Sequence, residues 1–155
     1  MPNWDAKHGK IDKPKNDDEY FERMSRVIFV AGLNWRVLDN KWPGIKKAFK
    51  DFSIDKVAKF QEPEIEELMN DRDVIHNLAK IRAIIANAKE IQSIAKEHGS
   101  FANYLKSLGD EDTKVAALIK RFAFLGKGTT VIFLFASGED MPKAHTEWHA
   151  RHQGK

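Results

Sequence analysis

Ile81, Ile84, Ile85, Ala88, Ile91, Ile94 and Ala95 recur at spacings of three and four, the period of a helix with one apolar face. Gly99 follows as a C-terminal stop. Upstream, Asn16 or Asp17 suits the cap of a helix from Asp18 towards Val30, whose second half, Met24 to Val30, is largely apolar. Pro43 fits the first turn of a short helix through Phe49. Ser53 caps Ile54 to Phe60, and Pro63 opens Glu64 to Met69, with Glu64, Glu66 and Glu67 where a helix dipole favours them. Downstream, Ser100 caps Phe101 to Leu108. Gly109 and Asp110-Glu111-Asp112 form a connection, and Thr113 caps Lys114 to Phe122. Phe124-Leu125-Gly126-Lys127-Gly128 is too rich in glycine to be helical, whereas Thr129-Thr130 opens an apolar helix, Val131 to Ala136. On periodicity alone Val131 to Phe135 also fits a buried strand, but its threonine start and helical surroundings argue for a helix. A last helix spans Met141 to Arg151. The pattern predicts an all-α fold of about seven to nine helices. One compact helical domain, residues 19–155, follows a polar arm, residues 1–18, that carries Pro2, Gly9 and Pro14.

Composition narrows the class. The 155 residues are 42% hydrophobic and 32% charged, ordinary for a globular protein with one real core. No apolar run reaches the length of a membrane span, and the polar N-terminus does not resemble a secretory signal. Without cysteine there is neither a disulfide nor a thiolate ligand, which fits a reducing cytoplasm. Net charge is only +3, so anion binding would need basic residues gathered on one face. Lys114, Lys120, Arg121 and Lys127 are such a group in the sequence, and a solvated helix face is the alternative.

Two segments carry candidate chemistry. Ala31-Gly32-Leu33-Asn34-Trp35 places an apolar tip beside an indole at the end of an apolar segment. Glycine permits close approach to another molecule, and such a tip suits a wedge into stacked bases with an aromatic to hold an expelled one. A helix end with a core tryptophan is the plainer alternative. The second segment, Phe124 to Thr130, puts a Gly-x-Gly turn between two helices. Backbone N–H groups of Gly126, Lys127 and Gly128, the hydroxyls of Thr129 and Thr130 and the Lys127 ammonium would meet a phosphate at a helix N-terminus. Such contacts position a protein on DNA without reading its sequence. A glycine-capped corner is the alternative.

Taken together, these segments resemble the bacterial 3-methyladenine DNA glycosylase I (Tag) family, of the helix-hairpin-helix glycosylase superfamily. Tyr20-Phe21-Glu22 resembles its Leu-Phe-Glu, and Ala31 to Trp35 its Ala-Gly-Leu-Ser-Trp, with Phe49 in place after it. Ile75, Asn77, Lys80-Ile81, Ile84-Ile85 and Asn87-Ala88 resemble its isoleucine-asparagine-lysine helix. Phe124 with Gly128-Thr129-Thr130 resembles its hairpin. The resemblance implies excision of a cationic N3-methylated adenine by hydrolysis of the N-glycosidic bond. It makes Gly32 and Leu33 the DNA-intercalating pair, and Trp35, with Asn34, the base-binding residues. Partners would be double-stranded DNA with alkylated bases and no membrane, for a cytoplasmic monomer without a cofactor.

Two departures bear on this reading. Where the family carries a pocket glutamate, four residues before its motif, this chain has Val27, so the catalytic residue is unassigned. Glu22 matches a different family glutamate, and Asp39, one turn beyond Trp35, is either near the pocket or a surface carboxylate. The family's two-Cys, two-His zinc site is reduced to His145 and His149, with His8 as an approximate third. A polar C-terminal helix carrying His145, His149 and His152 is the favoured alternative, and no metal is expected. Trp4 and Trp148 are substitutes for an otherwise missing aromatic arm. A non-catalytic DNA-damage binder of the same fold is the principal alternative function, and a helical protein-interaction domain a more distant one.

Overall fold

The computed structural model describes residues 12–153, apart from the side chains of Trp148, His149 and residues 151–153. Nine α-helices follow one another among the described residues: α1 (Asp17–Val30), α2 (Trp35–Ala48), α3 (Ile54–Val57), α4 (Glu62–Asn70), α5 (Leu78–His98), α6 (Phe101–Leu108), α7 (Glu111–Arg121), α8 (Lys127–Ala136) and α9 (Pro142–Gln153). A 3-10 turn, Lys50–Phe52, links α2 to α3. The expected all-α architecture is what the chain adopts. Most of the expected arm lies outside the described residues.

α1 and α5 form the centre. α1 packs against α5 and α8, while α5 also meets α3, α4 and α6. From α1, Phe21, Met24 and Ile28 are buried, and from α5 the predicted stripe of Ile81, Ile84, Ala88, Ile91 and Ile94. Burying a large aliphatic side chain contributes about 1.5–3 kcal/mol, so this seam is the main stabilising element. On one side of it Trp42 stacks on Phe52 with centroids 5.2 Å apart, and Phe52 stacks on Phe49 at 5.3 Å.

Helix starts follow their caps. Asn16 accepts from the Glu19 N–H at 2.9 Å, and Ser100 from the Asn103 N–H at 3.0 Å. Several boundaries differ from those expected: α3 ends at Val57 rather than Phe60, α4 starts at Glu62 rather than Glu64, and α2, α7 and α8 start elsewhere for reasons visible in the packing. α2 is continuous from Trp35 through Pro43 rather than starting there. Leu38, Trp42 and Ile45 keep one buried face across the proline, and Pro43 and Asp39 are exposed, so the carbonyl deprived of its donor meets water. α7 starts three residues early because Asp110, not Thr113, is the cap; its carboxylate accepts from the Thr113 N–H at 2.8 Å. α8 starts at Lys127, inside the stretch expected to be a glycine-rich loop. Burial of Thr130, Phe133 and Leu134 outweighs the propensity cost of about 1 kcal/mol for Gly128.

Candidate nucleic-acid interface

The segment between α1 and α2 is a tight, outward-pointing turn. Val30 ends α1, and the Leu33 N–H donates to its carbonyl at 2.7 Å. That closure needs Gly32 in the left-handed region, φ +82°, with open space where a Cβ would stand. Leu33 is left 42% exposed at the tip. Asn34 then caps α2, its side-chain oxygen accepting from the Arg36 N–H at 2.8 Å, so that oxygen is committed to the fold. Trp35, the first residue of α2, is half-buried against the core. The turn thus places an exposed aliphatic tip two residues from a partly open indole.

Lys80 supports this turn from below. It is buried on α5, and its ammonium donates to the carbonyls of Phe29 at 3.1 Å and Ala31 at 2.6 Å. No carboxylate pairs with it among the described residues. Burial accordingly pushes its pKa down from 10.5. The contact also brings the start of α5 beside the turn, where Val37 and Leu78 are exposed as well.

The second segment, between α7 and α8, is held equally firmly. Asn87 of α5 accepts from the Ala123 N–H at 2.8 Å and donates to the Ala123 carbonyl at 3.0 Å. Phe124 follows in the left-handed region, φ 61°, and is 49% exposed. A non-glycine residue there costs roughly 1–2 kcal/mol, which the Asn87 clamp and the burial of Leu125 offset. Gly126 is the cap of α8 and offers no side-chain acceptor. By helix geometry, the N–H groups of Lys127, Gly128 and Thr129 therefore have no intrahelical partner. Gly126, Lys127 and Gly128 are exposed, and Thr129 is half-buried. Thr130 is a correction to the sequence reading. It is fully buried, and its N–H already donates to Gly126 at 2.9 Å, so it faces the core rather than an incoming anion.

The basic group near this hairpin is also smaller than its sequence suggests. Lys114 pairs with Glu139 at 3.0 Å, and both side chains are nearly buried. Arg121 pairs with Glu90 at 2.7 Å and lies over the Tyr104 ring at 5.2 Å. Lys120 and Lys127 remain exposed. Two of the four cations are structural.

Carboxylates near the first turn are occupied. Val27 is buried on the inner face of α1 and supplies nothing polar. Glu22 accepts from the Trp42 indole N–H at 2.9 Å and pairs with Lys46 at 3.3 Å. Asp39 forms an ion pair with Arg26, whose guanidinium lies 5.1 Å from the Trp42 ring centre. No group of three or more His, Asp or Glu side chains is placed to hold a metal among the described residues. His8 and Trp4, and the side chains of His149 and Trp148, lie outside them. No helix among the described residues is long and apolar enough to cross a membrane.

This arrangement has a recognisable kin. The methyladenine glycosylase family model matches residues 4–123. The chain belongs to that family. It is 28% identical over 148 residues to a DNA-3-methyladenine glycosylase of Haemophilus influenzae, covering 81% of this chain and 80% of that one. It is 31% identical over 103 residues to DNA-3-methyladenine glycosylase 1 of Escherichia coli K12, covering 66% of this chain and 55% of that one. Among solved structures, 3-methyladenine DNA glycosylase I in complex with 3-methyladenine superimposes with a TM-score of 0.76 at 26% identity, over 84% of this chain and 82% of that chain. The Staphylococcus aureus 3-methyladenine DNA glycosylase I gives 0.75 at the same 26% identity, over 84% and 81%.

Both segments stand out in the sequence, whereas Lys80 and Asn87 enter there only as part of the family resemblance, without the holding role the fold gives them. Lys80 and Asn87 stand in the register of the apolar stripe of α5, where polar residues are out of place. That interruption was the available signal.

Proposed function

We propose that this methyladenine glycosylase family member removes alkylated purines, 3-methyladenine among them, from double-stranded DNA by hydrolysing the N-glycosidic bond. The exposed Leu33 on its glycine turn beside Trp35 carries the reading. On this view Gly32 and Leu33 occupy the gap left by the extruded nucleotide, and Trp35 stacks on the base. A purine methylated at N3 is cationic and weakly bonded to its sugar. An indole face attracts that charge, and extrusion costs least for a damaged base. Little acid catalysis is then required. Val27 fits such a site, in which aromatic stacking rather than a carboxylate holds the cation. Gly126, Lys127, Gly128 and Thr129 grip the phosphate backbone through the start of α8, an arrangement that fits a helix-hairpin-helix element. The protein acts as a cytoplasmic monomer.

The test is release of free base from a methylated duplex by the purified protein. Trp35→Ala should abolish release while circular dichroism shows an unchanged helical fold. Release at the wild-type rate by that variant would remove Trp35 from the mechanism. Val27 also favours a second reading, a binder of damaged DNA that releases no base. Tight, salt-dependent binding of the same duplex without release would select it.

A further inference from the structure

α5 carries two buried polar side chains on its apolar inner face, Lys80 and Asn87. They are seven residues apart, about 10 Å along the axis and on one side of the helix. Each grips backbone outside its own helix, and the two grips fall on different segments. Lys80 binds the carbonyls of Phe29 and Ala31, the last immediately before Gly32. Asn87 binds both the N–H and the carbonyl of Ala123, immediately before the left-handed Phe124.

Packing does not call for these residues. Neighbouring positions of the same face hold isoleucine and alanine, and burying an ammonium without a carboxylate is costly. Hydrogen-bond satisfaction accounts for the bond to the buried Phe29 carbonyl but not for the one to Ala31, which is exposed and open to water. What a buried donor adds over water is a fixed position.

We propose that α5 is a registration strut, in which Lys80 and Asn87 are positioning residues that hold the Leu33 turn and the α8 hairpin at a set separation. The wedge is thereby formed before DNA arrives and meets the duplex at a constant offset from the gripped phosphate. This rests on the assignment of the two segments to wedge and anchor above. Pre-formed geometry matters because a displacement of about 1 Å at a reacting site can cost about 100-fold in rate.

The experiment compares three readouts on the full chain: affinity for undamaged duplex, unstacking of 2-aminopurine beside an alkylated base, and single-turnover base release. Lys80→Met should leave undamaged-duplex affinity within about 2-fold while unstacking and release fall by about 10- to 100-fold. Asn87→Leu should weaken affinity for undamaged duplex as well as release. The double variant should lose less release than the product of the single losses, because one broken grip already destroys the register. For Lys80→Met a merely structural role would lower all three readouts together through the folded fraction, and that result would overturn the proposal, as would no loss of release in either variant. For Asn87→Leu the folded fraction is measured by circular dichroism, and losses no larger than the fall in that fraction would likewise overturn it. Lys80→Gln, which retains an N–H donor, and Asn87→Ala, which introduces neither charge nor overpacking, carry the same comparison if the first variants unfold. In the unsubstituted protein the Lys80 ammonium should give a slowly exchanging nitrogen-15 NMR signal, and rapid exchange would overturn its grip. Failure of the unsubstituted protein to release base defeats the glycosylase reading; intact release without the split between variants defeats the strut.

Discussion

Leu33→Ala isolates the wedge from the fold. The side chain is 42% exposed at the tip of its turn and is not among those packed in or against the core, so truncation leaves the core intact, and stability should change by no more than about 0.5 kcal/mol. On DNA the situation reverses. If Leu33 fills the space of an extruded nucleotide, its carbons beyond Cβ pass from water into the base stack. At about 0.8 kcal/mol per buried carbon, their loss removes about 2 kcal/mol, or roughly a 30-fold reduction in the extruded complex. The assay is single-turnover base release from an alkylated duplex at saturating enzyme, with thermal unfolding alongside. The expected result is an unchanged melting temperature and release slowed by about 10- to 100-fold. Unslowed release would show that Leu33 stays outside the duplex and that the turn is an ordinary helix connection. A large drop in melting temperature would show that its exposed surface does not describe its role in the fold.

Other consequences follow from the same geometry. Gly32→Ala must place a Cβ at φ +82°; because nothing is near that Cβ, the cost is conformational, about 1–2 kcal/mol by denaturant unfolding, and a stability equal to wild type would refute the need for glycine. Lys127→Ala should weaken binding to any duplex and reduce the slope of log affinity against log salt by roughly 1; an unchanged slope would take Lys127 off the phosphate. Tyr20 has its hydroxyl pushed from 10 up to about 12, by burial first and by the charge of Glu139 second. Below pH 10 the phenol is neutral in both folded and unfolded chains and changes nothing. Between 10 and 12 only the unfolded chain ionises, so stability falls as pH rises through that window, by at most about 3 kcal/mol. Tyr20→Phe should remove that part of the alkaline loss in pH-dependent unfolding, and an identical pH profile would place the effect elsewhere.

Much of this protein was legible in one dimension. The α5 stripe, the caps at Asn16 and Ser100 and the stop at Gly99 are local signals. Spacing and side-chain hydrogen bonds within three or four residues decide them, wherever the rest of the chain lies. The two candidate segments were legible as chain breaks for the same reason, since Gly32 and Gly126 interrupt helical patterns locally, although the left-handed residue of the second segment is Phe124 and Gly128 lies inside α8. Helix boundaries that depend on distant packing were not. Pro43 reads as a start, yet the buried face of Leu38, Trp42 and Ile45 carries α2 across it. Lys127 and Gly128 read as loop, yet the burial of Thr130 and Phe133 draws them into α8.

Tertiary structure alone decided which polar groups are available. In sequence, Lys114 and Arg121 look like Lys120 and Lys127. Only the approach of Glu139 and Glu90 from remote segments turns the first two inward as structural ion pairs. Thr129 and Thr130 are adjacent hydroxyls, but helical rotation buries the second. Lys80 and Asn87 are interruptions in a stripe until folding sets Ala31 and Ala123 opposite them. The sequence by itself determined the helices and the two exposed turns, because those rest on contacts a few residues long. The partners of Lys80, Asn87, Lys114 and Arg121 and the spacing between the turns had to wait for the fold, because they depend on residues from 25 to 51 positions apart.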